Sequence, residues 1–384
     1  MNSALGKTER VLKALNGQEP DRIPIGEFFW TNFTRRCREE LPGAGPDFNP
    51  YTYWDLDLIV ITPNMDPHIT GITVLEDSEI KKVVKTGFEA TIQRRRDLPL
   101  PHYDKFETET FEQMEAFTFD DPKDSRRFFS AIDDQINCVG DDLLSGLPAW
   151  FDRVKSVEED FCVFGSVCEC HEFLWRIIGT ENALMNWAED PERQGKFVER
   201  IGDFLVGITE GQIKAGGGRL KGMYIWGDVA YVHGMFMSPD LWRKYYKPQL
   251  KRICEVCHRH GLKTIYHGCG DARAIYEDLI EAGVDCYNPL EAKAHLDVVE
   301  IKQQYPHWAF NGNINVQVLE TNDREKIRAE VLRKLNAAKG GGYIFQSDHS
   351  MPDNVDPATY DYVVRLVREF GNYPLNLGEF DLKI

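Results

Sequence analysis

No stretch of this 384-residue chain comes near the roughly 18 consecutive apolar residues that a bilayer-crossing helix needs, so no membrane span is expected. Met1–Glu19 is charged and amphipathic and lacks the apolar core of a secretory leader, which points to a cytosolic protein. Positive charge is scarce: 45 Lys and Arg stand against 62 Asp and Glu, a formal net charge of −17. Such a surface repels phosphate backbones and argues against a general nucleic-acid binder, while leaving room for a local basic pocket around an acidic small molecule. Cysteine does not come in a pairing set. Nine of them, an odd count without a leader, argue against a disulfide framework and for small buried hydrophobes. No glycine-rich nucleotide loop follows an apolar run, since Gly216-Gly217-Gly218 precedes one. Repeats of solenoid or blade length are missing too.

What is there is a large core's worth of apolar residues, 42% hydrophobic beside 28% charged. Short apolar runs recur at Ile23–Phe29, Leu56–Thr62, Phe161–Val167, Gly222–Trp226, Leu262–Tyr266, Val284–Asn288, Trp308–Asn311 and Gly342–Gln346. Each is rich in β-branched and aromatic residues and bounded by Gly, Pro, Asn or Asp, as buried parallel strands are. Helical patterns lie between them. Ser238-Pro239 signals a start, with a long helix expected to about Arg259; Asp271–Ala282, Arg324–Ala338 and Asp356–Phe370 follow the same pattern. Eight strand–helix alternations predict a single (β/α)8 TIM barrel spanning residues 1–384. Two regions break the rhythm: Ile72–Arg96 alternates like an antiparallel excursion before the proline-rich 98–101, and Phe106–Ser156 is acidic and aromatic. Together, about 72–156, they are expected to form an insertion after the second strand that covers the barrel mouth.

Active sites of such barrels lie at the C-terminal strand ends. The residues there are Glu27, Asp57, Asn64, Cys168, Cys170, Asp228, His267, Cys269, Asn288, Glu291, Asn311, Asn313, Asp348 and His349. In Tyr266-His267-Gly268-Cys269-Gly270 the imidazole and thiol are two apart, so on extended chain they face one target, and the pair suits Zn²⁺. A third ligand must come from another loop: His349 is the leading candidate, with Asp348, Glu291 and Cys286 as alternatives. The bland reading makes His267 a hydrogen-bonded wall residue and Cys269 filler. Asp57, inside an apolar run, either points into the barrel mouth or binds a neighbouring Arg or backbone amides. Asp228 carries a similar choice. Cys168-Glu169-Cys170-His171 lacks a second zinc-ribbon pair, Cys254 and Cys257 lie in a helix, and Arg94-Arg95-Arg96 reads as a solvated or salt-bridged turn.

Several stretches resemble one family. Arg10–Leu15 followed by Pro20-Asp21-Arg22-Ile23-Pro24-Ile25, then Leu56-Asp57-Leu58, Ser238-Pro239, Gly312-Asn313-Ile314 and Pro352-Asp353-Asn354-Val355, are similar to uroporphyrinogen decarboxylase-like proteins. The likeness runs over nearly the whole chain. It implies a (β/α)8 barrel and either a decarboxylase or a methyltransferase working with corrinoid proteins or thiols. The decarboxylases' arginine-rich motif is replaced here by Glu27-Phe28-Phe29-Trp30-Thr31-Asn32, which removes bidentate carboxylate recognition. Asp57 matches that branch's pocket aspartate. His267-Gly268-Cys269 resembles the methyltransferases' zinc pair, with His349 in place of their third ligand, a Cys. One fewer thiolate makes a stronger Lewis acid, suited to an ether or hydroxyl oxygen.

The resemblance therefore implies a zinc-dependent methyltransferase moving a methyl group between a small O-, N- or S-methyl substrate and a corrinoid on a separate protein. Zinc would sit on His267, Cys269 and His349, with Asp57, Asp228 and Glu291 as catalytic groups. Glu27, Phe29, Asn64, Tyr224, Trp226, Asn288, Asn311, Asn313 and Asp348 are the expected substrate-binding residues. Partners are the small substrate and the corrinoid protein, with a homodimer left open and neither nucleic acid nor membrane expected. The rival is a metal-independent decarboxylase or lyase acting on a tetrapyrrole or other carboxylate through Asp57. A non-catalytic binding protein is the third class.

Overall fold

The computed structural model describes residues 5–96, 98, 101–136 and 149–383. Seven strands form one parallel sheet in chain order: Leu58–Ile61, Cys162–Cys168, Gly222–Trp226, Lys263–His267, Cys286–Asn288, Ala309–Asn311 and Tyr343–Ile344. Helices occupy the intervals, as right-handed crossovers require.

The expected first strand is the exception. Ile23–Phe29 contributes only isolated parallel bridges, Ile25 to Phe345 and Phe29 to Met351. Pro24 has no N–H to give a ladder, although its carbonyl accepts from Phe345 N at 2.9 Å. On the other side the Ile25 carbonyl accepts from Asp57 N at 2.8 Å. The segment thus lies between the first and last strands of a curled sheet without being a regular member of it.

Alternate strand residues fill the interior. Leu58, Cys162, Phe164, Tyr224, Ile265, Cys286, Ala309 and Ile344 make one buried cluster, stoppered by Val11, Ala14 and Leu15 of the helix Lys7–Leu15. Phe164 pairs with Gly222 across the ladder, and a Cβ on Gly222 would lie 2.0 Å from its ring. The other strand faces pack against the helices in the larger core.

The helix expected from Ser238 to Arg259 is two helices, Pro239–Tyr245 and Lys247–Arg259. Pro248 supplies no amide at the junction, so the ladder breaks there. Ser238 caps the first, its Oγ accepting from Leu241 N at 3.2 Å. Asp271–Ala282 begins as a 3₁₀ turn, Arg273–Ile275, before the helix Tyr276–Ala282.

After the first strand of the sheet the chain builds four antiparallel strands in order, Thr73–Asp77, Lys81–Lys85, Ala90–Arg95 and His102–Phe106. The antiparallel excursion expected from Ile72–Arg96 is its first three strands; residues 99 and 100 of the proline-rich stretch, and 137–148 of the acidic one, lie outside the described residues. This sheet rests on the helix Cys170–Ile178: the Phe88 and Phe173 rings are 4.8 Å apart, and Tyr103 meets Trp175 at 5.1 Å. Among the described residues no helix is long and apolar enough to cross a membrane.

Candidate functional site

Strand pairing decides which side chains share a layer. Trp226, His267 and Asn288 are in register on three adjacent strands, one pleat above Tyr224, Ile265 and Cys286. The same alternation that turns the lower set into the core turns the upper set toward the open C-terminal end.

A chain of hydrogen bonds locks this layer. Asn288 Nδ2 donates to the Asn311 carbonyl at 2.7 Å and to Asn311 Oδ1 at 2.9 Å. That leaves Asn288 Oδ1 as a pure acceptor, taken by the Tyr224 hydroxyl at 2.6 Å and by His267 Nδ1 at 2.6 Å. His267 Nδ1 must therefore carry the proton, and its Nε2 presents a lone pair. Nε2 stands 3.6 Å from Cys269 Sγ and 3.7 Å from Asp228 Oδ1. Asp228 Oδ1 is itself fixed by Cys269 N at 2.8 Å.

These three side chains are the one group of potential metal ligands among the described residues whose donor atoms all lie within 4.8 Å of one another. Nitrogen, oxygen and sulfur ligands at about 2.0–2.3 Å from a tetrahedral ion lie roughly 3.3–3.6 Å apart, close to what is seen. Burial, then the carboxylates of Asp228 and Glu291, push the Cys269 thiol well above its ordinary value, with Lys293 opposing. A divalent cation reverses that balance, because it stabilises the thiolate the carboxylates disfavour. The donor set fits zinc.

The remaining candidates divide. Glu291 holds the loop that carries Cys269, accepting from Gly270 N at 2.7 Å and pairing with Lys293 at 2.8 Å. Asp348 joins two loops, accepting from Ala292 N and Val316 N, both at 2.9 Å; burial raises its carboxyl to about 6. Asn313 does similar work, bonding to Leu290, Leu296, Val298 and Lys334. Asn64 is buried, its Oδ1 accepting from Asp66 N at 3.1 Å. Glu27 is buried against Ser347, Phe28 N and the Tyr360 hydroxyl, and burial lifts it to about 8.

Three expectations are corrected. His349 lies outside the ligand group and Asp228 takes the third place. Ser347, two residues before it, is pinned to Glu27, and the His349 ring stacks on Trp30 at 5.9 Å. Asp57 is not a pocket group: it precedes its strand, at the opposite end from His267. There it is fully buried and accepts from Arg10, Arg22 (twice) and Ile25 N at 2.7–2.9 Å. Phe29 packs into the core against Phe33, Tyr51, Trp54 and Tyr360. Its neighbour Phe28 points the other way, 5.4 Å from Tyr224 and 5.3 Å from Trp226. Pleating permits one of two adjacent residues to face inward, and the pattern alone did not say which.

Beside the ligand group lies a cavity of about 350 Å³, lined by His267, Asp228, Gly227, Trp226, Cys168, Thr62, Trp30, Ile136, Glu172 and Arg176. A larger hollow of about 670 Å³, by Leu12, Lys221 and Leu262, adjoins the beginnings of the strands and none of the ligand group. Glu172, Arg176 and Trp30 were not foreseen. A Glu and an Arg at i, i+4 look like an ordinary helix-surface pair, and nothing local says that the surface is a cavity wall.

Residues 153–370 match the sequence profile of the family described as Uroporphyrinogen decarboxylase (URO-D). A Uroporphyrinogen decarboxylase from Thermus thermophilus is 26% identical over 181 residues, 45% of this chain and 48% of that protein. One from Geobacillus kaustophilus is 24% identical over 186 residues, 47% and 49% respectively. The chain thus spans about half the length of the curated relatives it matches. Among solved structures, a methyltransferase from Methanosarcina mazei superposes with a TM-score of 0.61 at 16% identity, covering 95% of this chain and 99% of that one. At that identity the match speaks to the fold.

Proposed function

The chain belongs to the uroporphyrinogen decarboxylase family, and we propose that within it this protein is a zinc-dependent methyltransferase. It would move a methyl group between a small O-, N- or S-methyl substrate and a corrinoid protein or related acceptor. The observation that carries this reading is the convergence of His267 Nε2, Cys269 Sγ and Asp228 Oδ1 within 4.8 Å of one another, with Asn288 holding the imidazole in the ligating tautomer. The reading takes the parallel sheet and the segment Ile23–Phe29 together as a (β/α)8 barrel. The described parts of 72–156 would form an insertion at its mouth, and the protein would be cytosolic.

Zinc bound there supplies Lewis acidity toward the substrate's heteroatom. The chain's own residues do the rest. His267, Cys269 and Asp228 would hold the ion beside the cavity. Trp30, Trp226 and Ile136 exclude water from the methyl group's surroundings. Lys293, 2.8 Å from Glu291, keeps that carboxylate paired beside the Cys269 loop.

A decarboxylase reading is favoured by the names of the curated relatives. Against it stand two features of this chain. Asp57 is spent on two arginines away from the pocket, and among the described residues Arg176 is the single arginine lining the cavity, where a substrate with many carboxylates would need several. Metal analysis separates the readings. The purified protein should carry about one zinc per chain, Cys269→Ala and Asp228→Ala should lower that content, and His349→Ala should not. Metal-free protein with full turnover would sink the zinc reading.

A further inference from the structure

The cavity beside the ligand group is also lined by a cation with more donors than partners. Arg176 gives one Nη2–H to Glu172 and one Nη1–H to the Tyr103 hydroxyl, at 2.8 Å for the latter. A guanidinium has five N–H groups. Its Nε–H is buried with no partner, and no other hydrogen bond from the group is formed among the described residues. The side chain is only 15% exposed, and Arg176 lines the same cavity as His267 and Asp228. Glu172 is better provided: one oxygen takes Arg176 and the other accepts from Trp175 Nε1 at 2.9 Å. The imbalance is therefore one of donors. A buried charged donor left unmade is costly, and the group that relieves it is an acceptor with two oxygens.

Resting on the zinc methyltransferase reading, we propose that the methyl-bearing substrate also carries a carboxylate, received by Arg176. Two indoles, Trp30 and Trp226, and Ile136 supply apolar walls to the same cavity. The volume, about 350 Å³, lies at the small end of the ~300–1,000 Å³ range of ligand cavities, which suits a single-ring or short-chain acid. Arg176 is here a specificity residue: it fixes the far end of the molecule while the heteroatom meets the ligand group.

Calorimetry with 4-methoxybenzoate and its neutral partner 4-methoxybenzamide tests this, on the protein as purified and after chelation. The acid should bind at least tenfold more tightly than the amide in both forms, because Arg176 and not the metal makes the distinction. Arg176→Gln should abolish that preference while leaving zinc content unchanged. Arg176→Lys, which keeps the charge but loses the planar fork, keeps the test available if Arg176→Gln fails to fold: its preference for the acid should fall, and an undiminished preference there overturns the proposal as well. Equal binding of acid and amide, binding of neither, or an undiminished preference in Arg176→Gln overturns the proposal. A preference confined to the metal-loaded form assigns the carboxylate to the ion and overturns it too. Loss of the zinc reading shows instead in the metal content.

Discussion

His171 illustrates how a single residue's chemistry is set by what encloses it. In Cys168-Glu169-Cys170-His171 it looks like a metal ligand, yet the fold distributes the four residues elsewhere. Glu169 caps the helix Cys170–Ile178 by accepting from His171 N at 2.6 Å, Cys170 is buried, and the His171 ring meets the Tyr246 hydroxyl at 3.4 Å. Burial pulls the imidazole down to about 4 from its ordinary 6.5. The unfolded chain thus binds a proton at a pH where the folded protein refuses it. The linked stability is fully present above about pH 6.5 and is lost as pH falls toward 4, on the order of 3 kcal/mol in all. Urea unfolding at pH 7 and pH 4.5 should show this loss, and His171→Gln should flatten it. An unchanged slope in the variant would place the pH dependence elsewhere. Arg176 makes the complementary point. Its charge was visible in the chain, but its unpaired donors exist only because a neighbouring sheet roofs the helix it sits on.

At the scale of elements, the sequence marks boundaries well where chain chemistry is local and poorly where a partner decides. Ser238-Pro239 starts a helix as foreseen because cap and ring act within one turn. The break at Pro248 is equally local, but the apolar spacing continues across it and led to the expectation of one long helix. Ile23–Phe29 has the composition of a strand, but pairing needs a donor from each residue and Pro24 has none. The contact between Gly222 and Phe164 belongs to two strands at once. The ring occupies the space a Cβ would need, so Gly222→Ala should destabilise the fold by about 1–3 kcal/mol through overpacking. Thermal melts of Gly222→Ala and of the double variant with Phe164→Leu check this, since the smaller residue should recover part of the loss. Equal melting of Gly222→Ala and the parent protein would mean that the ladder simply relaxes.

At the scale of the whole molecule, Asp57 sits where the sheet's two ends come together. One fully buried carboxylate accepts from Arg10 on the stoppering helix, from Arg22 and Ile25 N on the bridging segment, and stands directly before the first strand of the sheet. Removing its charge leaves Arg22 without a counter-ion and Arg10 with Asp21 alone, a loss of about 3–5 kcal/mol. Asp57→Asn should therefore lower global stability in chemical unfolding by that amount while zinc per folded molecule is unchanged; a loss of metal with stability intact would return Asp57 to the pocket. The alternation of apolar runs with helical patterns determined, without coordinates, that this chain builds a parallel α/β sheet with polar groups at its strand ends, because burial of strands and helices obeys periods written in the chain itself. The pairing of His267 with Cys269 was legible for the same reason: two residues on an extended segment share a side. Tertiary structure alone decided that Asp228 joins them and His349 does not, that Phe28 meets Tyr224 and Trp226 while Phe29 packs into the larger core, and that Arg176 borders the cavity. Those choices depend on distances across strands and between loops far apart in the chain, and no local spacing encodes them.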